Sequence, residues 1–188
     1  MTSPWLWYLS RAAGVVSLIL LTLVVLLGLL TTAHPRPHSA AMAVAMGVHR
    51  TLALGMTVFL AVHVLTALVD TYVHLGWWSA VVPFASGYRR EWVALGAMAF
   101  DILLTLNLTS LLRHRLPVRV WRAVHYLSYA IAPLAVVHAL TTGAPDNPVL
   151  LGVAATCAAA MVAVAAWRWL GRNPDTRRRA QIAAQEWS

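Results

Sequence analysis

Five long apolar runs alternate with short polar stretches along the chain. They fall near Leu9 to Thr32, Val48 to Val73, Trp92 to Leu112, Ala123 to Leu140 and Val149 to Leu170. Each reaches or approaches the about 20 helical residues needed to cross a hydrocarbon core. Pro35 and Pro37, Pro83, Pro117, and Pro145 with Pro148 punctuate the four connections, and Pro174 follows the last run, as helix-breaking residues should. The pattern predicts an all-α integral membrane bundle of five transmembrane helices. The first run is longer than a secretory signal's apolar stretch, and Arg11 stands within its start rather than before it, so it reads as a retained helix. Residues 1–170 then form one membrane domain. Residues 171–188 form a basic tail, either a short helix lying on anionic lipid or a disordered segment.

Composition agrees with that class, since 60% of the 188 residues are apolar and 11% are charged. Charge adds an orientation. All fourteen basic residues are arginine and the formal net charge is +8, but they form no stripe with interleaved aromatics, which argues against nucleic acid as a partner. They gather instead at the ends of the apolar runs, next to lipid headgroups. Eleven lie on one side (Arg36, Arg50, Arg113, Arg115, Arg119, Arg122, Arg168, Arg172 and Arg177 to Arg179), against Arg11, Arg89 and Arg90 on the other. The positive-inside bias places the C-terminus in the cytoplasm and the N-terminus outside. Helices two and four then run in the same direction. Trp5, Trp7, Trp77, Trp78 and Trp92 form an outer aromatic belt, and Trp121, Trp167 and Trp169 an inner one. The single cysteine, Cys157, excludes an intramolecular disulfide, a CxxC pair and a cysteine zinc site.

Within this apolar frame the histidines stand out, because a buried imidazole without a partner costs free energy. Helix two carries His49 and His63 in "VHRTLALGMTVFLAVHV", and helix four carries His125 and His138 in "WRAVHYLSYAIAPLAVVHAL". At about 1.5 Å rise per residue the members of each pair are roughly 20 Å apart along the axis, so two sites are stacked across the membrane. At about 100° per residue His63 returns to within roughly 40° of His49, whereas His138 falls about 140° from His125 on an ideal helix. The second spacing therefore demands a distortion, which Pro133 is placed to cause. Two facing histidines at one depth suit the axial positions of a haem iron, closing it to oxygen chemistry and favouring electron transfer. Three other readings use the same residues: histidines bonded to backbone or flanking the membrane, a non-redox metal or proton transporter, and a cofactor-free membrane anchor.

The histidine spacing on alternate helices, with "VHR" and "WRAVHYLSYA" opening them, resembles the ferric reductase-like transmembrane domain family. NADPH oxidases, ferric reductases and the haem-bearing membrane subunit of bacterial methionine sulfoxide repair belong to it. "LVDTYVHLGWWSAVVPFASGYR", "GAMAFDILLTLNLTSLLR" and "HALTTGAPD" look similar to short actinobacterial-type members, which implies a bacterial plasma membrane. The resemblance runs from "SRAAGVVS" to the end of helix five. It implies two haems b with bis-histidine ligation, a cytoplasm-proximal one on His49 and His125 and an outer one on His63 and His138. It also implies electron flow from a cytoplasmic donor to an extracytoplasmic acceptor, within the membrane subunit of an oxidoreductase. The oxidases have one helix more, and they continue into a domain for FAD and nicotinamide. Here only eighteen residues follow Leu170, and no G-x-G-x-x-G turn occurs. No bound nicotinamide is expected, and the donor is expected to be a flavoprotein, a free reduced flavin or a quinol.

Several further residues carry two readings each. Arg11 suits either a propionate of the outer haem or interfacial snorkelling. Asp101, near the middle of helix three, needs a proton or a partner such as Arg11. Asp70 and His74 form either a surface ion pair or a site for an external metal or acceptor. Arg50, Arg119 and Arg122 flank the inner side or contact propionates or the donor. Met56 and Phe59, between the two histidine levels, fill an electron path or belong to the core. His34, His38 and His114 receive no role.

Overall fold

A computed structural model describes residues 5–33, 40–71, 75–143 and 147–185, with side chains through Leu170 only and, in the first helix, through Thr31. In chain order it contains α1 (Trp5–Ala33), α2 (Ala40–Val69), a 3-10 turn (Trp77–Ala80), α3 (Arg90–Leu111), α4 (Val118–His125), α5 (Ser128–His138), a π-helical turn (Ala139–Gly143) and α6 (Pro148–Gln185). No strand occurs among the described residues. Five helices are long and apolar enough to cross a membrane: Trp5–Thr31, Ala40–Val69, Arg90–Leu111, Val118–Gly143 and Pro148–Leu170. They correspond to the five apolar runs. The backbone of α6 continues as helix to Gln185. His34, His38 and His74 lie outside the described residues.

Two boundaries differ from the sequence expectation in ways that matter. Helix α2 begins at Ala40 rather than near Val48, because "AAMAVAMG" is rich in Ala and Met, which lose little entropy in a helix. His49 therefore sits inside the helix and not at its mouth. The fourth span is interrupted at Tyr126 and Leu127, directly after His125, while Pro133 lies within α5. Through the interruption the backbone bonds tighten to i→i−3. Leu127 donates to the Val124 carbonyl at 2.9 Å, Tyr129 to Tyr126 at 3.2 Å and Ala130 to Leu127 at 2.9 Å. A 3-10 turn advances about 20° more per residue than an α-helix. Overwinding at these three bonds, about 60° in all, therefore supplies part of the roughly 140° that an ideal helix lacks between His125 and His138. The distortion lies upstream of the proline, whose own effect is to deprive the Tyr129 carbonyl of a donor.

Helix α1 is the hub, packed along α2 and also against α5 and α6, while α3 packs on α4 and α5. Two of its buried hydroxyls bond within the helix, Ser17 Oγ donating to Ala13 O and Thr22 Oγ1 to Leu18 O, both at 2.8 Å, the usual way such groups tolerate apolar surroundings. Leu18, Leu21, Met56, Leu103, Leu106 and Ile131 meet in one core that also includes Cys157 and Met161. The outward positions on α2 include Leu54, Val58 and Leu65, a face suited to lipid. Away from the histidines and the turn after His138, two polar bonds among the described residues tie spans together. Asn107 Nδ2 donates to Thr57 Oγ1 at 3.2 Å, and Arg168 Nη1 donates to the Leu29 carbonyl at 2.6 Å.

Candidate functional site

Of the two histidine levels, the one expected on the outer side is built from the end of the α5 span and the C-terminal half of α2. The imidazoles of His63 and His138 face each other with ring centroids 6.4 Å apart and planes at 76°. Each is anchored to backbone on a different helix. His63 Nδ1 lies 2.7 Å from the Ser10 carbonyl of α1, and His138 Nδ1 lies 2.8 Å from the Trp92 carbonyl of α3. A carbonyl only accepts, so both rings carry their proton on Nδ1 and keep a lone pair on Nε2. Ser10 Oγ adds a bond to the His63 carbonyl at 3.2 Å and stands 3.3 Å from Nδ1. Ser10 itself is buried.

The inner level brings His49 of α2 within electrostatic range of His125 at the end of α4. Its anchoring is different. His49 lies near the Val24 backbone of α1, but its Nδ1 has no partner at hydrogen-bonding geometry, and His125 Nδ1 is likewise buried and unpartnered. The His125 ring stacks on Trp121, one turn earlier, at 5.0 Å with planes 18° apart. Trp121 Nε1 is buried without a partner, and the Arg113 guanidinium carbon lies over that indole, 5.0 Å from its centroid. Each orphaned polar atom costs about 1–3 kcal/mol, and three of them, the two Nδ1 atoms and the Trp121 N–H, lie together at this level.

These pairs fit a haem better than a bare metal ion. Among the described residues no three His, Cys, Asp or Glu side chains converge on one point, whereas a porphyrin supplies four equatorial nitrogens and asks the protein for only two axial ones. Axial nitrogens about 2 Å from the metal, with each ring centroid about 1 Å further out, place two imidazole centroids roughly 6 Å apart. The separation of His63 and His138 matches that spacing. Helices α2 and α5 are also not packed along each other. Between the levels Met56 is buried at 4% exposure, while Phe59 is 41% exposed and points away.

The π-helical turn after His138 is held by two arginines. Arg11 of α1 donates to the Gly143 carbonyl and lies 4.3 Å above the Trp7 ring. Arg89 Nη1 donates to the Thr141 carbonyl. Arg89 itself adopts a left-handed conformation, φ 39°, immediately before α3, a sparsely populated region for a residue with a side chain. Arg11 therefore engages the backbone that follows His138 rather than Asp101, which is only partly buried on α3. Asp70 is buried at the end of α2, and Arg50, within α2, and Arg119 and Arg122, on α4, are exposed.

Sequence reasoning missed Ser10, Trp92 and Trp121 as contacts of the histidines. Two of them act through backbone carbonyls, which leave no trace in residue type. Trp121, one turn before His125, carried the only readable signal. In comparison with known proteins, the model of a family described as "ferric reductase like transmembrane component" matches residues 13–136. The match spans His49, His63 and His125 and stops just before His138. No curated protein and no solved structure matches the chain.

Proposed function

Because the chain belongs to the ferric reductase-like transmembrane family, a family of multi-pass membrane electron-transfer modules, we propose that it carries electrons across the bilayer through two haems b. His49 and His125 hold the cytoplasm-proximal haem, and His63 and His138 hold the outer one. The observation that carries this reading is the 6.4 Å separation of the His63 and His138 rings, the spacing two axial imidazoles require. When bound, a bis-histidine haem supplies a one-electron couple with no open coordination position.

The chain's own residues do the rest. Ser10 and Trp92 carbonyls fix the outer tautomers and raise the basicity of the ligands. Met56 and the apolar core around it exclude water between the two levels. Arg11 and Arg89 hold the turn behind His138, and the donors that Arg11 does not spend on Gly143 are available to a propionate of the outer haem. Arg113 and the free Trp121 N–H offer the same kind of contact at the inner level. The donor is a cytoplasmic flavoprotein, a free reduced flavin or a quinol, and the acceptor lies outside a bacterial plasma membrane.

The visible spectrum of the purified full chain tests this. A Soret band with a sharp α band on reduction, and about two haems per chain, is the expected result. Colourless protein from haem-replete cells overturns it, and a stoichiometric transition metal in place of haem would favour the transporter reading.

A further inference from the structure

Four residues beyond each carbonyl that receives an outer imidazole, the helix carries a glycine. On α1 these are Ser10 and Gly14, and on α3 they are Trp92 and Gly96. In an α-helix the carbonyl of residue i already accepts the N–H of residue i+4. The histidine N–H is thus a second donor to the same oxygen, using its remaining lone pair, and it arrives beside residue i+4. The space it enters is the one a side chain there would fill. A Cβ at Gly14 would stand 2.9 Å from His63 Nδ1 and 3.0 Å from Cε1. A Cβ at Gly96 would stand 2.7 Å from His138 Cε1 and 2.8 Å from Nδ1. Both are far inside the about 3.5–4.0 Å of a good van der Waals contact. Neither ring can simply swing aside, since each is tied to a carbonyl on the same helix.

The inner level shows the same arrangement in a slack form. Val24 and Gly28 on α1 are also four apart and lie against His49, but a Cβ at Gly28 would meet His49 Cε1 at 3.6 Å, an ordinary contact. His49 Nδ1 correspondingly fails to bond the Val24 carbonyl. Gly14 and Gly28 are fourteen residues apart on α1, as His49 and His63 are on the antiparallel α2. One helix thus presents a glycine to each histidine level, and only the outer one is tight.

We propose that Gly14 and Gly96 are positioning residues for the outer histidine pair. Lacking side chains, they let both imidazoles dock on the carbonyls one turn earlier. This fixes the proton on Nδ1, keeps Nε2 as the iron ligand and holds the two rings near perpendicular. The proposal rests on the reading that this pair holds a haem.

The test compares the purified full chain with Gly14→Ala and Gly96→Ala, taking Gly28→Ala and Gly152→Ala as comparators. A Cβ at Gly152 would meet nothing within 4 Å. Readouts are haem per chain, low-temperature EPR of the ferric protein and a redox titration. The outer haem is identified as the one lost in His138→Ala. In the unsubstituted chain its EPR signal should be the strongly anisotropic low-spin type given by near-perpendicular imidazoles. Gly14→Ala and Gly96→Ala should each lose that haem, or shift its signal and raise its midpoint as the Nδ1–H bond weakens, while the other haem is unchanged. Gly28→Ala and Gly152→Ala should keep both signals.

Unchanged spectra and midpoints in Gly14→Ala and Gly96→Ala overturn the proposal, as does an equal disturbance from Gly28→Ala. Should the alanine variants not accumulate, the unsubstituted chain still decides, because a rhombic outer signal of coplanar rings contradicts the perpendicular arrangement. An unsubstituted chain without haem overturns the underlying reading instead, and this proposal with it.

Discussion

The imidazoles of His63 and His138 stand 6.4 Å apart, centroid to centroid, with their planes at 76°. They come from helices that make no extended contact with each other, so the meeting is arranged by third parties: α1 holds one ring and α3 the other. Removing either imidazole should empty the same haem position. His63→Ala and His138→Ala are each expected to lose one of two haems, with about half of the Soret absorbance, and the double variant should lose no more than either single one. Haem content and redox titration check this. Additive loss in the double variant would mean that the two residues serve different haems.

At the inner level the prediction is the complement. His49→Ala and His125→Ala should both remove the haem that survives in His63→Ala. Combining His49→Ala with His63→Ala on α2 should leave none, since one variant takes each level. A haem retained in that combination would contradict the pairing across α2 and the fourth span.

The arginines behind His138 should matter for how tightly the outer haem is kept. Arg89→Ala removes a charge-assisted bond to the Thr141 carbonyl, and Arg11→Ala one to Gly143. Such bonds are worth about 1.5–3 kcal/mol when sheltered. Arg89 is exposed, so its loss should cost less than that of the half-buried Arg11. Heating the purified protein while following the Soret band should show earlier release of one haem in both variants, with the larger shift for Arg11→Ala. Simultaneous release of both haems, as from global unfolding, would refute a local clamp.

Pro133→Ala discriminates between two origins of the fourth-span distortion. The overwound bonds lie at Leu127, Tyr129 and Ala130, upstream of the proline, so the variant is expected to keep both haems with unchanged spectra. Loss of the outer haem would show that the proline drives the overwinding.

The bond between Asn107 and Thr57 is a smaller matter. Thr57 Oγ1 also donates to the Ala53 carbonyl at 2.9 Å, so Asn107→Ala leaves no orphan on α2. The cost should be near the about 0.6 kcal/mol average for polar contacts between membrane helices, read as a slight fall in unfolding midpoint. A loss above about 2 kcal/mol would assign this bond a role the packing does not suggest.

Much of the architecture was legible in the sequence, because a bilayer permits few solutions. Runs of apolar residues separated by prolines had to be spanning helices, since only a helix satisfies its own backbone in hydrocarbon. Those runs correspond to the five long helices. The histidines were legible as candidates because an imidazole in such a run needs a partner, and the fourteen-residue step from His49 to His63 put both on one face of α2.

The details that build the site were decided elsewhere. The step from His125 to His138 announced a distortion, yet whether it would fall at Pro133 or at Tyr126 and Leu127 depended on how α4 and α5 pack on α3. Residue type is silent about backbone carbonyls, so nothing in "SRAAG" or "WVALG" declared that Ser10 and Trp92 would receive imidazole protons. The glycines read as ordinary small residues in apolar helices. They acquire meaning only when α1 and α3 are brought against His63 and His138, because the cost of a missing or added Cβ is set by the atoms of a neighbouring helix. The sequence by itself determined which segments cross the membrane and which side chains had to find partners there. The tertiary structure decided which partners they found, because those contacts depend on ångström-scale distances between helices far apart in the chain.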